Sequence, residues 1–454
     1  MTDEVIYTEY GPISGDFKCA ALGDLCVPGE GVQTGPFGSQ LHASDYVFRG
    51  TPIITVEHLG DNRIVHSNVP RVCDEDKERL SKYILKKGDI VFSRVGSVDR
   101  RAIVRPEEDG WMFSGRCLRI RPHYRKIDSA YLSWFLGLPG FKEYIRKIAV
   151  GATMPSLNTK ILHNVIVYFP PSLQEQRAIA NIFNTLDDKI ELNRQMNETL
   201  EAIARSIFKS WFVDFDPVRA KAEGRDPHLP KHIADLFPDR FEDSELGEIP
   251  AGWNVKKLSD LCSTQYGYTA SAVDEPVGPK LLRVTDINKR NWIEWGDVPH
   301  CVIEPDARAS YALQVGDLVV ARMADPGKSA IIEEEIDAVF ASYLVRLKTA
   351  SLAHSYYIYG FLKSDLYAEY AEGAKSGSVQ ANMNAKVIVG TDLIVPPRMV
   401  MEQFLQAVFP LRQHLVANVR ESRILAVLRD ALLPKLISGE VRPKHAERHL
   451  GSAI

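Results

Sequence analysis

The chain has 454 residues, 45% of them hydrophobic, and a net charge of −4. This composition is typical of a globular protein and excludes a disordered chain, and a chain of this length usually contains about three domains. The longest apolar runs fall well short of the ~18 residues that a membrane helix needs, and the N-terminus lacks the basic and apolar regions of a secretory signal. We therefore expect a cytoplasmic protein of several domains.

The charged residues are unevenly distributed along the chain. The net charge is slightly acidic, so DNA or RNA could bind only through local basic patches. Residues 94–126 contain nine basic and four acidic residues, which indicates either such a patch or the solvated face of a strand. The six cysteines are scattered without a CxxC pair, and the histidines lack metal-ligand spacing, so we predict neither a disulfide framework nor a metal site.

The chain contains an internal repeat. Five pairs of segments match in the same order and at nearly constant spacing along the chain: 21–26 with 257–262, 87–94 with 315–322, 113–119 with 340–346, 167–171 with 393–397, and 175–176 with 402–403. A constant order with slowly drifting offsets is the signature of a duplication. We predict a tandem repeat of a unit of about 225 residues.

Each unit begins with short β-type runs separated by Gly, Pro and Asp, and then changes to a helical period. In the first unit a helix is predicted at Tyr131–Ile148 among the β-type runs, and residues 74–79 are interpreted as a charged helix start. The predicted fold class is α+β, with two tandem α+β domains separated by two long helices. The predicted segments are 18–172 (first globular domain), 173–213 (first long helix), 214–250 (a connection with little periodicity), 251–398 (second globular domain) and 399–438 (second long helix).

The long helices carry apolar residues at steps of three and four, and the first contains neither Pro nor Gly. Such a seam needs a partner. We predict that the two helices pair with each other as an antiparallel coiled coil, the alternative being that each packs on its own domain. Asn193 and Asn418 fall at equivalent seam positions, where a polar residue fixes helix register. Pro410 is expected to kink the second helix and Pro434 to end it.

Catalytic motifs are weak or incomplete. Residues 326–329 resemble the end of a P-loop, but Arg322 stands where the required Gly would be, so a tight turn is the better interpretation. Pro170-Pro171 lacks the preceding polar residue that amino-methylating enzymes use. Asp61 with residues 75–77 only faintly resembles a nuclease pattern. The sequence therefore predicts no catalytic site.

Three phrases carry a family resemblance when they are taken in order. They are SIFKSWFVDFDPV (206–218) at the end of the first helix, LGEIPAGWNVKKL (246–258) at the opening of the second unit, and LLPKLISGEV (432–441) at the end of the second helix. Together with the two β-rich domains and two long helices, they resemble the specificity subunit of type I restriction–modification enzymes. The resemblance extends from about residue 18 to residue 442.

The resemblance implies that each globular domain is a target recognition domain that reads one half of a split double-stranded DNA site. It implies that the helices form a spacer and dock two methyltransferase subunits, which bind S-adenosylmethionine. Motor–nuclease subunits, which use ATP and Mg, join the same assembly, and this chain itself has no catalytic residues and binds no cofactor. Two other classes remain open: a free-standing DNA-modifying enzyme, and a coiled-coil adaptor without a DNA role.

The resemblance does not assign base-reading residues, so we predict DNA contacts from chemistry. The loop after a strand at 94–101 offers three guanidinium groups, which suit bidentate contacts to guanine or phosphate, and the repeat places 322–329 at the same point. Small polar loops recur at 151–158 and 376–384. The predicted DNA-binding residues are Arg94, Ser97, Arg100, Arg101, Thr153, Asn158, Arg283, Arg322, Lys328, Ser378, Gln380 and Asn384. The alternative is that these segments are solvated turns.

Overall fold

The structure is a computed structural model of the chain. It describes residues 5–38, 40–151, 153–374 and 382–443. The chain forms two compact units, one made of residues 1–190 with 424–454 and the other of residues 191–423. Each unit therefore contains one of the predicted globular domains together with a part of both long helices. Within the described ranges, no helix is both long enough and apolar enough to cross a membrane.

The first unit is built around a five-stranded sheet with the strand order β4-β11-β8-β9-β6. A three-stranded group (β10-β5-β7), the pair β12-β3 and the hairpin β1-β2 complete its β structure. The strands are β1 (Val5–Thr8), β2 (Gly11–Ser14), β3 (Lys18–Ala21), β4 (Val32–Thr34), β5 (Thr51–Ile54), β6 (Asp61–Asn62), β7 (Arg71–Val72), β8 (Ile90–Ser93), β9 (Arg101–Ile103), β10 (Met112–Phe113), β11 (Cys117–Ile120) and β12 (Ile166–Phe169). The helices are α1 (Asp74–Arg79), α2 (Ser129–Phe135), α3 (Pro139–Ile148) and α4 (Thr159–His163), followed by the first long helix, α5 (Leu173–Phe212).

The second unit is built around a four-stranded sheet with the order β16-β21-β18-β19, with the pairs β17-β20, β15-β22 and the hairpin β13-β14 beside it. The strands are β13 (Phe241–Ser244), β14 (Gly247–Pro250), β15 (Asn254–Lys257), β16 (Cys262–Tyr266), β17 (Lys280–Leu282), β18 (Leu318–Ala321), β19 (Ser329–Ile331), β20 (Ala338–Phe340), β21 (Leu344–Thr349) and β22 (Asp392–Val395). The helices are α6 (Asp216–Ala222), α7 (Lys231–Ala234), α8 (Val284–Ile287), α9 (Pro305–Tyr311), α10 (Leu352–Leu362), α11 (Asp365–Ala374) and α12 (Ala385–Ile388), followed by the second long helix, α13 (Arg398–Ser438).

The register of the sheets establishes which residues of the two units correspond. The hairpin β8-β9 pairs Ile90 with Ile103, and β18-β19 pairs Leu318 with Ile331 in the same antiparallel register. The strands β11 and β21 flank these hairpins in the same way. The predicted arrangement of two tandem α+β domains is therefore confirmed, and corresponding residues can be compared one by one.

The two long helices pair antiparallel, as predicted. In the first unit the opening turns of α5 contribute Phe183 to the same apolar cluster as Leu436, near the end of α13. In the second unit Leu200, from the later part of α5, packs with Leu415 of α13. In both units an early segment of one helix packs on a late segment of the other, which is the antiparallel arrangement.

Two asparagines lie in the buried seam between the helices within the second unit. The Asn418 side-chain amide donates to Asn197 Oδ1 over 2.9 Å, and the Asn193 amide donates to Glu421 Oε2 over 2.7 Å and to Ser422 Oγ over 3.2 Å. These bonds join α5 to α13. A role for Asn193 and Asn418 in fixing the register remains a prediction.

Two boundaries differ from the sequence predictions because of proline. The predicted single helix at 131–148 is two helices, α2 and α3, and Pro139 starts the second, where the missing N–H of proline costs nothing. Pro434 does not end α13, which continues to Ser438. The turn after Pro434 carries Leu436 and Ile437, which are fully buried, and this burial offsets the backbone hydrogen bond that proline cannot make.

The segment 214–250 is folded, whereas the sequence predicted a connection with little periodicity. It forms α6, α7 and the hairpin β13-β14. Its apolar side chains, including Val218, Phe237 and Ile249, belong to the core of the second unit with Trp253. Isolated aromatic and aliphatic residues between turns produce no recognisable period, although burial on a neighbouring core orders them.

Gly137 allows a buried cation to approach the backbone in the first unit. A Cβ built at this glycine would lie 1.9 Å from Arg101 Nη2, whereas a Cβ at Gly373 in α11 would meet nothing within 4 Å. We predict that G137A lowers stability by about 1–3 kcal/mol through overpacking. The control variant G373A should be neutral or slightly stabilising, because alanine has the higher helix propensity. Thermal unfolding of both variants measures the difference, and equal melting temperatures would contradict the prediction.

Candidate nucleic-acid interface

The turn between β8 and β9 presents polar side chains at a tip fixed by backbone hydrogen bonds. Ser93 N donates to Arg100 O over 2.9 Å and closes the turn. Gly96 has a φ of +81°, a conformation that glycine adopts without strain. Ser97 and Arg100 are exposed on this turn. The turn is therefore a rigid platform that carries one solvent-facing guanidinium.

The loop at 150–158 is attached to this turn. Gly96 N donates to Pro155 O over 2.9 Å, and Leu157 N donates to Arg94 O over 2.8 Å. Thr153 is exposed in the same loop. The two predicted loops of the first unit thus form one continuous surface.

A stacked arginine and an exposed cation border the same turn. The Arg94 guanidinium lies 5.5 Å from the ring centre of Phe37, which is 51% exposed, and Arg94 Nη1 donates to Gly115 O over 2.9 Å. Arg94 N donates to Arg116 O over 2.9 Å, and the Arg116 side chain is exposed. Arg94 is therefore held half-buried on an aromatic ring, while Arg100 and Arg116 face solvent beside it.

The second unit repeats this backbone arrangement with different side chains. Met383 N donates to Arg322 O over 2.9 Å, as Leu157 N does to Arg94 O. Arg322 N donates to Tyr343 O over 2.9 Å, as Arg94 N does to Arg116 O. Tyr343, 53% exposed, therefore occupies the position of Arg116.

Arg322 also stacks on an aromatic ring. The turn that follows it lines a cavity that is rich in charged side chains. The Arg322 guanidinium is 5.0 Å from the ring centre of Tyr266, which is 43% exposed. Exposed Lys328 lines this cavity of about 530 Å³. Its walls contain four further cations and three acids: Arg205, Lys289, Arg290, Lys363, Asp325, Asp365 and Glu372.

Lys363 in this cavity is half-buried, and desolvation lowers its pKa to about 8. Its ammonium donates to Ser329 O over 2.7 Å and to Asn291 Oδ1 over 3.2 Å. Lys363 thus stabilises the wall of the cavity, and the exposed cations are the ones available to a phosphate group.

Three basic residues of the 94–126 segment are buried and do not belong to a surface patch. Arg101 is 2% exposed, donates from Nε to Ser133 O, and lies 3.4 Å from Asp61. Burial lowers its pKa. Arg119 and Arg121 are also buried in the sheet. The prediction that Arg101 offers its guanidinium to DNA does not fit this placement, because the side chain serves the interior of the domain.

The other predicted residues occupy local structural positions. Asn158 and Asn384 are exposed N-cap residues of α4 and α12, and their side chains accept from Ile161 N (2.8 Å) and Val387 N (3.0 Å). Arg283 lies before α8, away from the turns in sequence, and forms a bidentate ion pair with Asp286. Ser378 and Gln380 lie outside the described residues.

The sequence predictions did not include the exposed aromatic residues Phe37, Tyr266 and Tyr343, or Arg116. The repeat could have identified two of them, because Arg116 and Tyr343 occupy the same position in the matching segments 113–119 and 340–346. Phe37 and Tyr266 give no such signal, because they do not occupy matching positions in the sequence. Phe37 follows Gly35, whereas Tyr266 precedes the equivalent Gly267.

In each unit, the assembled surface combines guanidinium or ammonium groups with exposed aromatic rings and polar loop side chains. Cations suit phosphates and guanine edges, and aromatic rings suit bases and sugars. Among the residues that the structure describes, no group of three or more His, Cys, Asp or Glu side chains could hold a metal ion. The arrangement is suited to recognition of nucleic acid.

Comparison with known proteins agrees with this chemistry. Residues 18–202 match the family model of the type I restriction modification DNA specificity domain. The chain is 25% identical over 451 residues to the type I restriction enzyme HindI specificity subunit of Haemophilus influenzae, covering 87% of this chain and 95% of that protein. It is 28% identical over 325 residues to the MjaIX specificity subunit of Methanocaldococcus jannaschii, covering 70% of each.

The fold is similar to that of a solved specificity subunit. The crystal structure of the S subunit of a type I restriction–modification system from M. genitalium superposes with a TM-score of 0.55 at 16% identity, covering 92% of this chain and 96% of that one. The matched domain, the similarity along most of the chain and the shared fold lead to one conclusion. Along most of its length, the protein is similar to the specificity subunits of type I restriction–modification systems.

Proposed function

We propose that this chain is a non-catalytic subunit that reads a split, asymmetric DNA site through its two recognition domains. One observation carries the proposal: the same hydrogen-bonded backbone frame recurs in both units with different exposed side chains. Arg100 and Arg116 of the first unit are replaced by Lys328 and Tyr343 in the second. Two domains with one architecture and different side chains are suited to bind two different short sequences.

The chemistry of the proposed contacts differs between the halves. Arg100 and Arg116 can each form bidentate contacts to a guanine edge or reach a phosphate, because guanidinium offers paired donors. Lys328 offers a single point charge, and Tyr343 offers a ring with one hydroxyl. We therefore expect the first half-site to depend more strongly on guanine.

The similarity to specificity subunits also supports a scaffolding role. We propose that the chain docks two methyltransferase subunits, which bind S-adenosylmethionine, and that motor–nuclease subunits, which use ATP and Mg, join the same cytoplasmic complex. The chain itself is proposed to bind no cofactor. The tandem repeat supports two methyltransferase subunits, because two similar units offer two similar docking surfaces.

We predict that the methylated site in genomic DNA consists of two different half-sites separated by unread bases. The measurement is methylome sequencing after co-expression with the cognate methyltransferase, compared with cells that express the methyltransferase alone. The purified chain, given S-adenosylmethionine and the same DNA, should transfer no methyl group. A single continuous motif, or methyl transfer by the chain alone, would contradict the proposal.

We predict that R100A weakens reading of the first half-site and that K328A weakens reading of the second. Loss of a base contact should cost ~1–3 kcal/mol and relax one position, whereas loss of a phosphate contact should reduce the salt dependence by about one unit. The measurement is fluorescence anisotropy on duplexes mutated in one half-site at several salt concentrations. Each variant serves as the control for the other.

The buried Arg101 provides a second control for this experiment. R101A should lower the melting temperature, because it empties a buried cation site. Removal of Arg100 should leave the melting temperature nearly unchanged, since its side chain is exposed. If R100A and K328A both kept full affinity and an unchanged salt slope, the turns would not contact DNA.

We also propose that the paired helices set the number of unread bases. Seven residues added to α5 after Asn193 and seven added to α13 after Asn418 preserve the heptad and lengthen the helical spacer by ~10 Å at ~1.5 Å per residue. DNA rises ~3.4 Å per base pair, so the gap should grow by about three base pairs. Methylome sequencing of this variant measures the gap, with an insertion in α5 alone as the control. An unchanged gap in an active complex would show that the helices are not the spacer.

A further inference from the structure

Each recognition domain is joined to the long helices by a buried ion-pair cluster at an equivalent place in the repeat. Asp187 and Arg412 each lie six residues before the equivalent seam asparagines, Asn193 of α5 and Asn418 of α13. Both side chains are buried. The two helices therefore present a charged residue at the same position, but the charges are opposite.

In the first unit an acidic helix residue is surrounded by basic side chains. Asp187 accepts from Arg63 of the domain over 2.6 Å, and Arg105 of the domain lies 3.4 Å away. The exposed neighbour Asp188 pairs with the same two arginines, 2.8 Å from Arg105. Arg429 of the other helix approaches the second carboxylate oxygen of Asp187 at 3.3 Å. Burial raises the pKa of Asp187, and the three guanidinium groups oppose that shift. The three guanidinium groups therefore compensate the charge of a buried carboxylate.

In the second unit a basic helix residue is surrounded by acidic side chains. Arg412 donates from Nε and Nη2 to both carboxylate oxygens of Glu333, over 2.9 and 2.6 Å. Its Nη1 donates to Glu201 of the other helix. Burial on its own lowers the pKa of Arg412, and the carboxylates of Glu333 and Glu201 outweigh it, so the pKa is raised.

The residues that the two domains contribute to these clusters, Arg105 and Glu333, occupy equivalent positions in the repeat. The residues contributed by the other helix occupy nearly equivalent positions. Val104 N donates to Asp89 O over 2.8 Å and Ile332 N to Asp317 O over 2.9 Å, so the residues that follow, Arg105 and Glu333, correspond. On the other helix, Arg429 of α13 and Glu201 of α5 lie within one helical turn of equivalent positions, counted from the first residues of the helices. The helix residue, the domain residue and the partner on the other helix therefore all have the opposite charge in the other unit.

We propose that these two clusters of opposite polarity allow each recognition domain to dock only on its own helix, and allow the two long helices to pair only with each other. The first domain on the second helix would place Arg105 against Arg412. The second domain on the first helix would place Glu333 against Asp187.

Pairing of like helices from two copies of the chain is excluded by the same charges. Two copies of α5 would place Asp187 near Glu201, and two copies of α13 would place Arg412 near Arg429. Each combination buries two like charges next to each other. This is unfavourable because the charges repel and burial removes the water that would screen them. A tandem duplication needs such discrimination, because its two halves otherwise offer each other interchangeable surfaces.

Charge reversals in the full chain reproduce these mismatches one contact at a time. E333R places in the second domain the positive charge that Arg105 provides at the equivalent position of the first. E201R places in α5 the positive charge that Arg429 provides in α13. The neutral variants E333Q and E201Q remove the attraction without adding repulsion. We expect each reversal to lower the melting temperature further than its neutral counterpart, as measured by scanning calorimetry. The reversal K231E at the exposed Lys231–Asp235 pair is the control and should leave the melting temperature nearly unchanged.

The compensated variant E201R/E333R/R412E tests polarity independently of packing. It gives the second cluster the polarity of the Asp187 contacts, in which a buried helix carboxylate lies between guanidinium groups of the domain and of the other helix, and should recover most of the stability that R412E alone loses. If E333R or R412E does not fold, folding of the triple variant supports the proposal, and failure of the triple variant contradicts it. Reversals no more destabilising than the neutral variants would also overturn it.

Discussion

The antiparallel contact between the two long helices is the interaction on which the rest of the molecule depends. Each globular domain uses both helices to complete its hydrophobic core. In the first unit, Phe183 of α5 and Leu436 of α13 share a cluster with the domain. In the second, Phe208 of α5 and Phe404 of α13 do so, with ring centres 5.8 Å apart. A change in helix pairing would therefore expose apolar surface in both units, so pairing and domain folding are energetically coupled.

The turns after β8 and β18 illustrate how one backbone architecture can carry two different sets of exposed side chains. Backbone hydrogen bonds hold the turn, the neighbouring loop and the strand end in the same arrangement in both units. Side chains at the tips contribute little to the core, so they can change without loss of the fold. The replacement of Arg116 by Tyr343 changes the chemistry presented at the surface and leaves the supporting backbone intact.

Buried charges have diverged in a coordinated way between the repeats. Arg101 corresponds to Ser329 in the strand register, and Gly137 corresponds to Lys363. In the first unit, the cation Arg101 of β9 lies against Gly137. In the second unit, Lys363 at the end of α10 provides the cation, and its ammonium donates to Ser329 O. A buried ion without its partner is costly, so such residues change together. The inverted clusters around Asp187 and Arg412 follow the same rule.

The sequence by itself determined the duplication, the α+β class, the two long helices and their seam. Repetition and periodicity are visible along the chain without any knowledge of which residues are in contact. The sequence also identified the turns after β8 and β18, since a strand followed by glycine and cations is visible in one dimension. Only the tertiary structure decided which cations face solvent: Arg100 does, whereas Arg101, the next residue, is buried beneath Gly137. Alternation along a strand places neighbouring side chains on opposite faces, and which face is interior depends on the elements packed against it. The opposite polarity of the two helix clusters likewise becomes visible only when residues distant in the chain are brought into contact.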